Sequence, residues 1–172
     1  MTEMIPTWMG GDLVAVDMLD VHQQGLRHRA VSVFLMHEAH LLIQRRSMTK
    51  AHTPGLWSST CCSHPRWGEP SEACALRLLQ EELGISAVVP IVASTPIEYR
   101  ADVGSGMTDH EVVDVFVAEV AERPLIHASP ELVMEVAWRR LPDLIASIAA
   151  EPENFTPWLR TCLLERRDLI FH

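Results

Sequence analysis

The residues best suited to chemistry lie in one connected segment between Gly55 and Ile85. The segment places a thiol, Cys62, two residues before an imidazole, His64. A carboxylate-bearing helix follows directly and ends in the run Gln80-Glu-Glu-Leu-Gly-Ile. Carboxylates of this kind hold small hard cations together with substrate phosphates. The combination of thiol, imidazole and carboxylates therefore indicates chemistry on a diphosphate.

The helix matches most of the Nudix signature G-x5-E-x7-R-E-U-x-E-E-x-G-U, in which U is aliphatic. The residues in register are Glu69, Arg77, Leu79, Glu81, Glu82, Gly84 and Ile85. Ser63 replaces the first Gly, and Leu78 replaces the Glu that follows the Arg. Residues four apart share a helix face, so Glu82 lacks its partner carboxylate. This departure disfavours a hydrolytic metal cluster.

The chain as a whole resembles the type I isopentenyl-diphosphate isomerases, a branch of the Nudix superfamily. The resemblance runs from about Asp12 to about Arg166 and is densest at 25–34, in the thiol loop and signature helix, and at 109–111 and 155–158. It implies isomerisation of isopentenyl diphosphate to dimethylallyl diphosphate by protonation and deprotonation, which supplies isoprenoid biosynthesis. It also implies one domain over 1–172 with the Nudix fold.

The resemblance further implies a set of catalytic residues. Cys62 and the carboxylate of Glu111 act on opposite faces of the substrate, and Tyr99 orients Glu111 or relays its proton. Trp158 faces the hydrocarbon part, where its indole can stabilise a carbocation through a cation–π interaction. Two simpler interpretations stay open: a small buried hydrophobe for Cys62 and a core residue for Trp158.

A divalent ion is implied by the same resemblance, held by three imidazoles and two carboxylates: His22, His28, His64, Asp109 and Glu111. This donor set suits Mn²⁺, Zn²⁺ or Mg²⁺. The family usually has Glu at position 109, so the shorter Asp109 either draws the backbone inward or binds through water. On a strand, Asp109 and Glu111 share one face while His110 points away.

The substrate diphosphate is expected to bind a second ion, Mg²⁺, bridged by Glu82. Arg46 and Lys50 match family positions that grip the diphosphate, as charge-assisted hydrogen bonds require. The remaining histidines have no matched role: His37, His40, His52, His127 and His172.

Composition limits the other classes of function. The chain has 172 residues, 48% of them hydrophobic and 22% charged, and a net charge of −9. The negative charge argues against general nucleic-acid or acidic-membrane binding. No apolar run approaches a membrane span, no secretory signal is visible, and the four cysteines form no disulfide framework. We expect a cytoplasmic monomer or weak homodimer whose partner is a small prenyl diphosphate.

Hydrophobic patterning predicts a mixed sheet flanked by helices, an α/β/α sandwich. The predicted strands are Ala30–Met36, Leu41–Arg45, Val88–Ala93, Ile97–Val103, Val112–Val120 and Glu135–Arg139. The predicted helices are Glu69–Leu83, Pro142–Ala150 and Pro157–Ile170, and Gly55–Gly68 is predicted to be a long loop. Pro70 suits the first turn of the first helix and Gly84 its C-terminal cap.

Two other functions compete with the isomerase. One is a Nudix pyrophosphohydrolase acting on a nucleotide or prenyl diphosphate, which Leu78 disfavours. The other is a noncatalytic metal-binding or interaction module, which the ordered combination of thiol, carboxylate, Trp and signature helix disfavours.

Overall fold

Ten strands form one mixed sheet in the computed structural model, which describes residues 2–93 and 95–171. The strands are β1 (Met4–Met9), β2 (Asp12–Asp17), β3 (Arg27–His37), β4 (His40–Arg46), β5 (Trp57–Ser58), β6 (Cys61–Ser63), β7 (Ile91–Val92), β8 (Ile97–Gly104), β9 (Met107–Glu119) and β10 (Val133–Arg140). The helices are α1 (Met18–Gln24), α2 (Ser71–Leu83), α3 (Leu141–Ala150), α4 (Pro157–Arg160) and α5 (Arg167–Ile170). A 3₁₀ turn covers Pro152–Asn154 and a π-helical segment covers Thr161–Glu165.

The centre of the sheet is a parallel pair, β3 and β9. Their register runs from Arg27 opposite His110 to Met36 opposite Glu119, which sets His28 beside Glu111. The other strand pairs are antiparallel, for example β8 with β9 and β6 with β3. The sheet is therefore mixed, as expected from the sequence.

Helices cover both faces of this sheet. Val31, Val33 and Leu35 of β3 pack with residues of α2 on one face. Ala30 and Phe34 pack on the other face with residues of α3 and the C-terminal segment. Successive strand residues point to opposite faces, so β3 is buried on both sides and contributes to two cores. The predicted α/β/α layering is confirmed.

Helix α2 lies between Pro70 at its N-cap and Gly84 at its C-terminal cap. It begins at Ser71, because Pro70 occupies the N-cap in an extended conformation rather than the first turn. Gly84 ends it in the left-handed region, with φ 66°, and donates to the carbonyl of Gln80 at 3.0 Å. The predicted C-terminal cap is confirmed, since a glycine adopts this conformation without steric cost.

Several element predictions were wrong or incomplete. The hairpin β1–β2 and helix α1 were not predicted. The predicted loop Gly55–Gly68 contains β5 and β6, because tertiary pairing with β4 and β3 overrides its local turn signals. The predicted strand Val88–Ala93 shrinks to β7, since Pro90 cannot donate to a ladder.

The C-terminal helix also differs from the prediction. The predicted helix Pro157–Ile170 divides into α4, the π-helical segment and α5. The amide of Arg166 donates to the carbonyl of Thr161 at 3.1 Å, which is the i→i+5 bond of a π-helix. Within 2–93 and 95–171, no helix is long and apolar enough to cross a membrane.

Candidate active site

A cavity opens where α1, the end of β4, β6, β9 and α4 meet. Its lining includes seven of the site residues predicted from the sequence: His22, Arg46, Lys50, Cys62, His64, Glu111 and Trp158. The fold therefore brings residues from distant parts of the chain to one place.

Three imidazoles cluster at the base of this cavity. His22 comes from α1, His28 from β3, and His64 follows β6. Each pair of ring centroids is 5.0 Å apart. Oε1 of Glu111 lies 3.4 Å from Nε2 of His28 and 3.3 Å from Nε2 of His64. These four residues can hold a metal ion, since one donor atom of each lies within 4.8 Å of the others.

Backbone contacts prepare two of the imidazoles for coordination. Nδ1 of His22 donates to the carbonyl of Met18 at 2.6 Å, and Nδ1 of His28 donates to that of Leu26 at 2.8 Å. Each ring therefore keeps the lone pair of Nε2 for a cation. Both Nε2 atoms are buried and have no hydrogen-bond partner in the described part of the chain. Such unsatisfied polar atoms, converging on one point, fit a divalent ion.

Asp109 belongs to a second, overlapping ligand group. Its fully buried Oδ1 lies 3.1 Å from Nε2 of His22, but no hydrogen bond joins them, since the proton of the His22 ring is on Nδ1. Asp109 groups with His22 and His52, whereas Glu111 groups with the three clustered imidazoles. The shared face of Asp109 and Glu111 is confirmed, since both are buried, while His110 turns away and contacts Glu98 at 3.0 Å.

The carboxylates and imidazoles perturb one another's protonation. Burial opposes ionisation of Glu111, but its close contacts with the imidazoles of His28 and His64 outweigh burial and hold the pKa of Glu111 well below its usual range. Burial, followed by the charge of Glu111, raises the pKa of Asp109. Burial lowers the pKa of His64 to about 4. His64 is therefore neutral near pH 7 and able to coordinate, and a cation would relieve the repulsion between the carboxylates.

The two adjacent cysteines face different environments. On β6, Cys62 pairs with Ser32 of β3 and lines the cavity. Cys61 is fully buried on the opposite face, in the core formed with α2. Burial, followed by the charge of Glu111, raises the pKa of Cys62 well above its usual value. In this environment Cys62 is a protonated thiol rather than a thiolate.

Tyr99 joins the two carboxylates of β9. Its hydroxyl donates to Oε2 of Glu111 at 2.7 Å and lies 3.3 Å from Oδ2 of Asp109. Burial, followed by the charge of Glu111, raises the pKa of Tyr99 well above its usual value. Tyr99 is therefore a neutral phenol that can orient Glu111 or pass a proton to it.

Trp158 forms the apolar wall of the cavity. Its Nε1 donates to Oγ of Ser58 at 2.8 Å, which fixes the plane of the indole. The ring is 3% exposed and packs with Val103 and Met107, and Cys62 lies against the same group. The thiol and the indole thus face the same small space.

Arg46 places positive charge at this wall. The side chain is buried, its Nη2 donates to the carbonyl of His52 at 3.2 Å, and its Nε has no partner among the described residues. A buried guanidinium with a free N–H group is suited to bind an anion. Lys50 lines the same cavity four residues later.

Comparison with known proteins agrees with this geometry. The model of the NUDIX domain matches residues 26–159. The chain is 53% identical over 171 residues to an isopentenyl-diphosphate Delta-isomerase of Cereibacter sphaeroides. The matched region covers 99% of this chain and 96% of that protein. The protein of the same name from Roseobacter denitrificans is 49% identical, over 99% and 97% of the two chains. The chain belongs to the type I isopentenyl-diphosphate isomerase family of the Nudix superfamily.

Solved structures extend the likeness of the fold to more distant proteins. A Deinococcus radiodurans protein superposes with a TM-score of 0.75 at 17% identity, over 99% of this chain and 100% of that one. The MutT NUDIX hydrolase of Burkholderia pseudomallei gives a TM-score of 0.63 at 21% identity, over 81% and 97%. At these identities the likeness establishes the fold alone.

The signature helix contributes less to the isomerase site than the strands do. Leu78 is buried in the core beneath α2. Glu82 is 6% exposed and accepts a hydrogen bond from Nε2 of Gln44 at 2.5 Å. Glu82 lies outside both ligand groups found among the described residues. The structure does not bring it to the histidines, so its role at a second ion stays a prediction.

His52 is the residue at this site to which sequence reasoning assigned no role. Its ring stacks on that of His22 with centroids 5.0 Å apart and meets Trp158 edge-on at 6.0 Å. Burial, followed by the charge of Arg46, lowers the pKa of His52 to about 3. The sequence offers one signal, its position two residues after Lys50, but a single histidine in a polar loop has no periodic pattern that predicts where it points.

Proposed function

We propose that the protein converts isopentenyl diphosphate to dimethylallyl diphosphate and thereby supplies isoprenoid biosynthesis. The observation that carries the proposal is the meeting of Cys62, Glu111 and Trp158 in one cavity of a chain from the type I isomerase family. Its relatives at 53% and 49% identity are named for this isomerisation.

The reaction needs an acid and a base near one short hydrocarbon chain. Protonation of the terminal carbon of the substrate creates a tertiary carbocation, and loss of a proton from the neighbouring methylene completes the shift of the double bond. Cys62 and Glu111 are the proposed pair, acting on opposite faces of the substrate. Tyr99 holds the carboxylate of Glu111 in place and keeps its own proton available.

The cation between the two proton transfers requires a neighbour that stabilises it without reacting. Trp158 provides an indole face within the cavity, and a cation–π interaction contributes about 2 kcal/mol when desolvated. An anion in direct contact would quench the cation. A buried indole fixed by Ser58 meets both requirements.

The substrate's other end is a diphosphate, for which Arg46 and Lys50 are the proposed binding residues. Both line the cavity, and the free Nε of Arg46 can donate to a phosphate oxygen. A Mg²⁺ ion carried by the diphosphate is proposed to contact Glu82, whose charge lies close enough to Lys50 and Arg46 to affect their protonation.

The imidazole cluster is proposed to hold Mn²⁺, Zn²⁺ or Mg²⁺ through His22, His28, His64, Asp109 and Glu111. When bound, the ion would supply positive charge that favours the ionised form of both carboxylates. The protein residues perform the remaining tasks: they orient the ion's ligands, exclude water and move the protons.

The protein is proposed to work in the cytoplasm as a monomer or weak homodimer, without nucleic-acid or membrane partners. All four cysteines are free thiols, which suits a reducing compartment.

Proton NMR of isopentenyl diphosphate incubated with the protein and Mg²⁺ in D₂O tests the proposal. The expected result is dimethylallyl diphosphate that carries deuterium and retains its diphosphate. Release of phosphate or pyrophosphate without isomerisation would reject the isomerase proposal and favour the Nudix pyrophosphohydrolase. The burial of Leu78, where hydrolases carry a carboxylate, supports the first outcome.

A further inference from the structure

The candidate metal ligands form two groups that share one histidine. The first contains His22, His28, His64 and Glu111, and the second contains His22, His52 and Asp109. Within each group, one donor atom of every residue lies within 4.8 Å of the others. His52 and Asp109 therefore each bring a donor atom close to one of His22, the residue that the two groups share.

Asp109 reaches this second group with a short side chain. Its side chain has one methylene fewer than that of Glu111, the other carboxylate on the same face of β9. Its Oδ2 lies 3.3 Å from the hydroxyl of Tyr99. Its Oδ1 is buried 3.1 Å from Nε2 of His22 and lacks a hydrogen-bond partner among residues 2–93 and 95–171. One carboxylate oxygen and one imidazole nitrogen leave coordination positions of a divalent ion open, so a further donor beside Asp109 can be accommodated.

The loop after β4 holds the ring of His52 at this point. The amide of Arg46 donates to the carbonyl of Leu56 at 2.9 Å, and that of Gly55 donates to the carbonyl of Arg46 at 3.0 Å, which closes the loop. Nη2 of Arg46 donates to the carbonyl of His52 at 3.2 Å. The ring is confined between His22 and Trp158.

One nitrogen of this ring remains available for coordination. Nδ1 of His52 lies 3.3 Å from Oγ1 of Thr53. When Nδ1 donates to this hydroxyl, Nε2 carries the lone pair, which is the arrangement found in most metal-ligating histidines. His22 and His28 show the same division between a bonded Nδ1 and a free Nε2.

We propose that His52 is a ligand of the divalent ion, binding beside Asp109 and supplying a fourth imidazole. The inference rests on the metal centre proposed above and extends its ligand set. Four imidazoles with two carboxylates favour Zn²⁺ or Mn²⁺ over Mg²⁺, which prefers oxygen donors.

Isothermal titration of the metal-free protein with Zn²⁺, and separately with Mg²⁺, tests this ligand. The variants are His52→Phe, which keeps a ring for stacking but has no donor, and His52→Ala. His127→Gln is the matched control, because His127 is exposed and belongs to neither ligand group. Both His52 variants should weaken Zn²⁺ binding by about tenfold or more, while Mg²⁺ binding changes little. The control should bind both ions like the wild type.

The two variants separate coordination from packing. If His52 only packs against His22 and Trp158, His52→Phe should retain wild-type Zn²⁺ affinity while His52→Ala loses it. That pattern would overturn the proposal. Melting temperatures of the metal-free variants, measured in parallel, verify that each one folds.

A spectroscopic readout reports the ligand without relying on affinity or turnover. Co²⁺ bound to the wild type and to His52→Ala should give different visible absorption bands, since one nitrogen donor is lost. Free imidazole added to Co²⁺-loaded His52→Ala should restore the wild-type bands. Identical spectra for both proteins would exclude His52 from the coordination sphere.

The failure of this inference is distinguishable from failure of the metal centre. A wild type that binds neither Zn²⁺ nor Mn²⁺ saturably would reject the centre and the ligand together. Saturable binding that His52→Phe leaves unchanged would reject His52 alone.

Discussion

The guanidinium carbon of Arg46 lies 5.1 Å from the centroid of the Trp158 ring. Arg46 is proposed to bind the diphosphate, and Trp158 is proposed to stabilise the carbocation. The two ends of the substrate site therefore meet in one contact. A guanidinium on an indole draws on the same negative ring face that a carbocation would use. If Arg46 binds the diphosphate as proposed, the substrate's negative charge would offset that of the guanidinium and weaken its competition with the carbocation for the ring.

Replacement of Arg46 by Lys should weaken substrate binding. Lysine keeps the positive charge but loses the planar fork that binds phosphate oxygens and the flat surface that contacts Trp158. Loss of a charge-assisted hydrogen bond costs about 1.5–3 kcal/mol, so KM should rise roughly ten- to hundredfold.

Arg140→Lys is the control for this change. Arg140 forms an exposed ion pair with Asp143 at 3.7 Å, and such pairs contribute little. Steady-state kinetics should show KM close to the wild-type value for Arg140→Lys. An equal rise in KM for both variants would remove Arg46 from the diphosphate site.

The two cysteine variants should differ sharply in activity. Cys62→Ser should abolish turnover while leaving the fold and metal content intact, since a hydroxyl is a far poorer proton-transfer partner than a thiol. Cys61→Ser should retain most activity, because Cys61 lies on the face buried against α2. Circular dichroism and metal analysis of both variants provide the controls. The reverse ranking would show that the thiol was assigned to the wrong residue.

Residues on regular elements could be predicted from the sequence. Alternation along a strand predicted that Asp109 and Glu111 share a face, and β9 confirms it. The glycine after the signature helix predicted the C-terminal cap at Gly84. Each of these predictions rests on a local rule that tertiary packing does not override.

Residues positioned by irregular or short elements could not be predicted in this way. Helix α1, which carries His22, has seven residues and too few turns to show a helical period. His52 lies on a loop whose course depends on hydrogen bonds to Arg46, which no pattern in the sequence reveals. The family resemblance supplied His22, but it assigned nothing to His52.

Metal affinity should respond to the length of the side chain at position 109. Asp109→Glu should preserve or tighten binding of Mn²⁺ or Zn²⁺, because the longer carboxylate reaches further toward the histidines. Asp109→Ala should weaken it, since the donor is lost. Asp143→Glu, at an exposed position on α3, is the control and should bind as the wild type does. Titrations that show no change in either Asp109 variant would exclude this residue from the site.

The ion pair between Glu69 and Arg77 should make stability depend on pH. Nε and Nη2 of Arg77 donate to Glu69 at 2.7 and 2.8 Å, and this bonding holds the pKa of Glu69 below its usual value of 4.5. The stabilisation is present above that usual value and is lost as pH falls through the lowered pKa of the folded state.

Glu69→Gln should therefore reduce the free energy of unfolding most near neutral pH, by about 1–3 kcal/mol. The difference from the wild type should shrink as pH falls below 4.5. Urea denaturation at several pH values measures it. Glu135→Gln, at an exposed ion pair, should show little change at any pH. A Glu69→Gln difference that is independent of pH would mean that the lost stability comes from packing.

Two variants of Trp158 distinguish an aromatic role of this residue from a packing role. Trp158→Phe should keep partial activity, because a benzene ring retains a weaker quadrupole. Trp158→Leu should lose much more, although its apolar bulk suffices for the short hydrocarbon of the substrate. A loss of about 2 kcal/mol in transition-state stabilisation slows the reaction roughly thirtyfold.

A packing role for Trp158 predicts a different pattern for the same two variants. Trp158 is 3% exposed and bonded to Ser58, so both variants lose packing and a hydrogen bond. If packing were its whole role, both would melt at lower temperature and activity would fall only with the folded fraction. Turnover per folded molecule, compared with melting temperature, separates the two roles. Equal specific activities for the Phe and Leu variants would reduce Trp158 to a packing residue.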